Sequence, residues 1–230
     1  MEPLLLLHGA LGAKDQFEPL LPLLSSTVPV YSFNLAGHGG APFPKEPFSI
    51  EYFVRQLLDW LDHHHLPRIQ VFGYSMGGYI ALEAARQQPD RFSRIFTLAT
   101  KFHWTPETAL HETAKLQPDI ISSKVPTFAQ VLQERHAPQD WTELLHRTSA
   151  MMHQLGQVPT LSSQAFAQIN IPVCVAVGDR DQMVSIEESL EAYRQLPQGQ
   201  FHVLPNTKHP LEQLQWPQLA QALQHFFSYA

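Results

Sequence analysis

The sequence predicts an α/β fold: a mostly parallel central sheet of about six strands flanked by helices, with a helical segment inserted between two of them. Three observations carry this. Short apolar runs at Leu4–Leu7, Val28–Phe33, Ile69–Phe72, Ile95–Ala99, Ile171–Val177 and Phe201–Leu204 alternate with segments of helical periodicity. Most of these runs lack polar–apolar alternation, the pattern of parallel strands buried on both faces. The chain has 230 residues, 44% of them hydrophobic and 16% charged, which suits a sizeable core hidden beneath its helices.

The elements follow in order. Leu4–Leu7 is the first strand; an acid and not a basic stretch precedes its short apolar run, so it is read as a strand and not as a signal peptide. Ser49 can cap a helix whose Ile50, Phe53, Val54, Leu57, Leu58 and Leu61 share one face, closed by Pro67. Met76–Gln88 is a second helix, stopped by Pro89; Ile186–Leu196 and Trp216–Phe227 are two more. Lys101–Ser163 is the exception. It contains no convincing strand, is rich in Gln, His and Pro, and has apolar residues at loose helical spacing. The expected organisation is therefore a core of residues 1–100 and 164–230 and a helical cap insertion of residues 101–163, with 157–163 as its exit. Ligands in open α/β sheets bind at the carboxyl ends of the strands, where such an insertion would lie as a cap.

Composition excludes several functions. A net charge of −6 provides no basic face for phosphates, so no nucleic-acid partner is expected. The single cysteine, Cys174, rules out an intramolecular disulfide and argues against a Cys-based zinc site. No run of eighteen apolar residues marks a membrane span, and a cytoplasmic protein is the expectation.

The strongest chemical signal is Gly73-Tyr74-Ser75-Met76-Gly77-Gly78, directly after one strand and opening a helix. Ser75 would sit on a tight turn with its hydroxyl above the sheet, flanked by glycines that avoid steric conflict. The new helix offers free N–H groups and a favourable dipole to developing negative charge. No phosphate-loop pattern is present. A serine nucleophile needs a base, and the base an orienting acid. Of thirteen histidines, His202 lies in a strand, His225 in a helix and His63–His65 at a helix end, while His103, His111, His136, His146 and His153 belong to the insertion. His8 and His38 sit beside glycine turns and read as loop braces. His209, in the loop after the last strand, is the best-placed base. Asp179 and Asp181 both follow the strand Ile171–Val177, and spacing alone does not separate them. His8-Gly9-Ala10-Leu11-Gly12 ends the first strand with small residues that would let a backbone N–H approach a substrate oxygen.

Together, His8-Gly9, Gly37-His38-Gly39, the Ser75 turn, Gly178–Val184 and His209 make the chain resemble the α/β-hydrolase superfamily over nearly all of it outside the insertion. The chain order Ser, Asp, His is the order of that fold. The resemblance implies Asp181 as the acid, because the family's acid stands three residues after the glycine. It also implies the N–H groups of Ala10 and Met76 as the oxyanion hole. The pattern departs at Lys208, where glycine is common, at Ser185, where proline is common, and in beginning at the family's third strand, so that the first two are not expected.

The implied activity is a serine hydrolase, a carboxylesterase, cleaving a small carboxylic ester through an acyl-enzyme without metal or organic cofactor. A thioesterase or carbon–carbon-bond hydrolase with the same triad is the alternative, and a non-catalytic small-molecule-binding member of the fold is a further one. The expected partner is a small-molecule ester or thioester, and the expected state a monomer or small homo-oligomer. Low charge and aromatic residues in the insertion favour an apolar substrate, with Phe102, Trp104, Trp141, Met151, Met152 and Leu155 as candidate pocket residues; the competing reading is that they pack the cap itself.

Overall fold

A computed structural model describes residues 2–24 and 28–228. Six strands, β1 (Leu4–Leu7), β2 (Val30–Ser32), β3 (Ile69–Tyr74), β4 (Phe92–Leu98), β5 (Val173–Gly178) and β6 (Gly199–Leu204), form one sheet in the order β2-β1-β3-β4-β5-β6. Every neighbouring pair is parallel. Two faces explain the unbroken apolar runs. Leu5, Leu7, Val71, Ile95, Val173 and Val175 point into one core, covered by α1 (Ile50–His63), α2 (Met76–Gln87) and α8 (Ile186–Gln195). Their alternates Leu4, Leu6, Phe72, Phe96, Cys174 and Ala176 pack beneath α9 (Trp216–Ser228) and against Phe17 and Leu20. Burial in that second core pushes the Cys174 thiol up to about 12, which keeps it protonated and unreactive.

The strand limits differ from the sequence reading for local reasons. The run at Val28–Phe33 pairs as a strand only over Val30–Ser32, at the sheet edge and just after Pro29, which has no N–H to donate. β4 starts three residues earlier than its apolar run, taking in Ser93 and Arg94, whose polar side chains find partners on the neighbouring strand and the last helix: Ser93 Oγ donates to Ile69 O at 3.1 Å, and Arg94 Nη1 to Phe226 O at 2.9 Å. Ser49 caps α1 as its spacing predicts, its hydroxyl accepting from Tyr52 N at 3.0 Å.

Between β4 and β5 the chain forms five helices: α3 (Pro106–Thr113), α4 (Pro118–Lys124), α5 (Pro126–His136), α6 (Trp141–Gln157) and α7 (Ser163–Ala167). The loose helical spacing reflects α3, α4 and α5, which are short, start at prolines and bury few residues each. α5 buries only Leu132 and His136, whereas α6 buries Leu144, Leu145, Thr148, Met151, Met152, Leu155 and Gly156.

The close seat of α2 against β1 needs a residue without a side chain at Gly77. A methyl there would drive into the carbonyl oxygens of Leu7 and His8. Gly77→Ala is therefore expected to lower unfolding free energy by about 1–3 kcal/mol, the cost of overpacking a rigid contact, seen as a lower urea midpoint with an unchanged slope.

Candidate active site

The β3–α2 turn places Ser75 at φ 51° and ψ −118°, a left-handed backbone that few non-glycine residues adopt. Its surroundings hold it there: Ser75 N–H donates to Leu98 O at 2.8 Å, and Thr100 Oγ1 donates to Ser75 O at 2.9 Å. Gly9, Gly73, Gly77 and Gly78 all pack where a Cβ would meet the turn or its neighbours. Ser75 thus projects from the carboxyl end of β3 into a cavity of about 260 Å³, which His209 also lines.

His209 Nδ1 lies 2.8 Å from Asp181 Oδ2. The Asp181 side chain is fully buried, and its other oxygen accepts from Met183 N at 2.8 Å and Val184 N at 2.9 Å. Its loop therefore sets the carboxylate before the imidazole is added. Asp179 does a different job, its Oδ1 accepting from Thr207 N at 3.1 Å and tying the β5 loop to the histidine loop. Tyr74 holds the histidine from the other side, its hydroxyl donating to His209 O at 2.6 Å. Burial pushes the Tyr74 phenol well up, so it stays a donor. Among the described residues the Ser75 hydroxyl has no hydrogen-bond partner, His209 included; such contacts commonly tighten only with substrate present.

Ala10 and Met76 also line the cavity. Neither backbone N–H has a hydrogen-bond partner among the described residues, and Met76 is the first residue of α2, where helical N–H groups are free. The Gly9–Ala10 peptide is gripped at its carbonyl, because His8 Nδ1 donates to Gly9 O at 2.8 Å. His8 Nε2 accepts from Leu35 N at 3.1 Å. These partners define a neutral tautomer, and burial lowers the ring to about 4.

The sequence-named pocket residues divide. Trp104, Met151, Met152 and Leu155 line the cavity. Phe102 and Trp141 do not, which corrects their assignment: Phe102 turns edge-on to Phe166 at 5.4 Å, and Trp141 packs in the small cluster of Ile121, Leu132 and Leu145. Spacing reports that a residue is apolar and helical but not which neighbour it meets. Leu116, Phe128, Arg135, Lys101, Gln16 and Glu212 line the same cavity and escaped the sequence reading. The polar four look like ordinary surface residues until their partners are known. His146 and His153 do not reach the cavity, and His153 Nε2 instead meets Thr113 Oγ1 at 3.1 Å. No cluster of three metal-ligating side chains occurs among the described residues, and no described helix is long and apolar enough to cross a membrane.

A family profile described as alpha/beta hydrolase fold matches residues 2–153. The chain belongs to that family. Among curated relatives, a pimeloyl-(acyl-carrier protein) methyl ester esterase of Neisseria meningitidis is 34% identical over 95 residues, covering 41% of this chain and 35% of that one. A probable alcohol acetyltransferase of Wickerhamomyces anomalus is 32% identical over 91 residues, 39% of this chain and 26% of that one. The chain thus spans about a third or less of the length of these relatives. Among solved structures, a thermophilic esterase from Thermogutta terrifontis superposes with a TM-score of 0.80 at 23% identity, covering 99% of this chain and 90% of that one. An enol-lactonase from Burkholderia xenovorans gives 0.80 at 17% identity, covering 99% and 92%. These likenesses establish the fold.

The neutral histidines make stability fall with acid. His136, also buried, is lowered to about 4 chiefly by burial. In the unfolded chain such rings take up protons near pH 6.5; in the folded one His8 and His136 wait until about 4. Stability is therefore complete above about pH 6.5 and declines as pH falls toward 4, by roughly 3 kcal/mol for each ring. Urea midpoints between pH 7.5 and 4.5 should follow that slope, and His8→Gln should flatten it.

Proposed function

We propose that this chain is a serine hydrolase that cleaves a small carboxylic ester through an acyl-enzyme. The observation that carries the reading is the 2.8 Å contact of His209 Nδ1 with the buried, doubly held carboxylate of Asp181, on the wall of the cavity that also receives Ser75.

In this reading Asp181 keeps the His209 proton on Nδ1, leaving Nε2 free as base. Nε2 takes the Ser75 proton as Oγ bonds to the ester carbonyl carbon. The carbonyl oxygen becomes an oxyanion between the N–H groups of Ala10 and Met76, each worth roughly 3 kcal/mol in sites of this kind. The tetrahedral adduct collapses, the C–O bond to the alcohol breaks, and the alcohol leaves with the proton from His209 Nε2. Water then attacks the acyl-enzyme, giving its proton to Nε2. Collapse releases the carboxylic acid and returns the proton to Ser75.

The helices within residues 101–163 act as the cap. Leu116, Phe128, Met151, Met152 and Leu155 supply an apolar wall, which suits an uncharged acyl or alcohol group. Transfer of the acyl group to an alcohol in place of water is a second reading, favoured by the likeness to the alcohol acetyltransferase. Adding ethanol to the assay separates the two, because transfer yields an ethyl ester.

Ser75→Ala should abolish p-nitrophenyl butyrate hydrolysis while leaving the urea midpoint within about 0.5 kcal/mol of the parent. Full activity in that variant would remove Ser75 from its role. Asp181→Asn should lower kcat by about three to four orders of magnitude, because the amide favours the wrong imidazole tautomer; steady-state rates on the same ester measure it. A graded series of acyl lengths should show turnover rising and then failing as the chain outgrows the 260 Å³ cavity.

A further inference from the structure

The cavity wall contributed by α5 does more than exclude water. Two successive residues at the end of that helix, Arg135 and His136, converge on one acceptor, the carbonyl oxygen of Leu11. Arg135 Nη1 donates to it at 3.0 Å and His136 Nε2 at 3.1 Å. Leu11 follows Ala10 directly and has φ 59°, a conformation that a branched side chain holds only when its surroundings impose it. Arg135 reaches further: its Nη2 meets Glu212 Oε1 at 2.6 Å, and the same oxygen accepts from Gln16 Nε2 at 2.7 Å. Glu212 lies three residues after His209. His136 is fixed in turn, its Nδ1 accepting from Gly39 N at 3.0 Å.

From this we infer that Arg135, with His136 beside it, is a positioning residue that holds the Ala10 N–H in its oxyanion-binding direction and ties that loop to the loop carrying His209. The inference rests on the serine-hydrolase reading above. His8 grips the peptide that carries the Ala10 N–H, and the α5 pair grips the carbonyl one residue beyond it, so the backbone on both sides of Ala10 is fixed. With the α5 grip gone, the turn that carries Leu11 is closed only by the Gly12 N–H bond to Gly9 O at 3.2 Å, and the Leu11 peptide and the Ala10 N–H lose their outer restraint. The other donor, at Met76, belongs to α2 and does not depend on α5. The cap thus completes half of the oxyanion hole. A loss of alignment at one donor weakens the transition state and leaves ground-state binding nearly untouched.

The test compares wild type, Ser75→Ala, Arg135→Met and Arg135→Lys on p-nitrophenyl butyrate, with phenylboronic acid as a probe of tetrahedral binding. Arg135→Met is expected to lower kcat by between about tenfold and a hundredfold with KM changed by less than about twofold. The phenylboronic acid Ki should rise by the factor that kcat/KM falls. Arg135→Lys, which keeps the charge and can reach one of the two acceptors, should recover part of kcat at the same KM. A KM rise as large as the kcat loss would make Arg135 a substrate contact and overturn the proposal. An unchanged kcat, or a kcat loss with an unchanged boronate Ki, would overturn it as well. If Arg135→Met does not fold, Arg135→Lys alone decides, on whether its kcat loss exceeds its KM change and matches its boronate Ki. Activity that survives Ser75→Ala would defeat the underlying reading, whereas a dead Ser75→Ala beside an undiminished Arg135→Met would defeat the clamp alone.

Discussion

The constraint on which the site depends is the left-handed turn at Ser75. An extended strand passing into a helix would leave the serine beside the sheet. The turn lifts it above the strand ends at a conformational cost of order 1–3 kcal/mol, offset by the contacts with Leu98 O and Thr100 Oγ1. The same geometry requires small residues around it. Gly73 faces the backbone of Gly77 and Gly78, and Gly77 faces the end of β1. One backbone conformation therefore sets the height of the hydroxyl, the seat of α2, and the approach of the Met76 N–H to the first loop.

Around that turn, polar groups are arranged so that most of them cannot exchange protons near neutral pH. Burial keeps His8, His38 and His136 neutral, and the Tyr74 phenol protonated. The three imidazoles pack as a group, His8 and His38 tilted with ring centroids 5.2 Å apart and His38 and His136 edge to face at 5.9 Å. His8 and His136 act as fixed hydrogen-bond fittings between the loops after β1 and β2 and the end of α5, while His38 Nδ1 donates to Ala36 O at 3.0 Å within its own loop. The His209 ring lines the cavity, with its Nδ1 paired with Asp181.

Much of this was legible in the chain. Strands buried on both faces leave uninterrupted apolar runs, so five of the six were placed within a few residues, and the edge strand β2 was overdrawn because Pro29 breaks its pairing. The residues around Ser75, Asp181 and His209 were legible because tight turns demand particular residue types, glycine above all. The choice between Asp179 and Asp181 was not legible from spacing, since both follow β5. It depends on which carboxylate the Met183 and Val184 N–H groups draw inward. The pocket was read only in part, because membership depends on how short helices pack. Phe102 found Phe166, and Trp141 found the Ile121 cluster. Arg135 carried no sequence signal at all, being one arginine near the end of a polar helix.

The root of the inserted helices shows the same economy of buried charge. Lys101, just after β4, sends its ammonium 3.3 Å from Glu188 Oε2 and 3.3 Å from Met183 O. Glu188 Oε1 accepts from Phe102 N at 3.0 Å and His103 N at 3.2 Å. Both side chains are about nine-tenths buried, and a buried pair of this kind contributes little net stability while the loss of either partner is costly. What it supplies is position. The Met183 carbonyl that accepts the Lys101 hydrogen bond belongs to the loop whose N–H groups hold Asp181. The entry to the inserted helices and the carboxylate loop are thus fixed to each other at one end of the cavity. At the other end, Arg135 fixes the exit of α5 to the loops of Leu11 and Glu212. Tied at its entry through Lys101 and midway through Arg135, the insertion cannot shift without moving the loops that carry Asp181, Leu11 and Glu212, so its helices are structural members of the cavity wall.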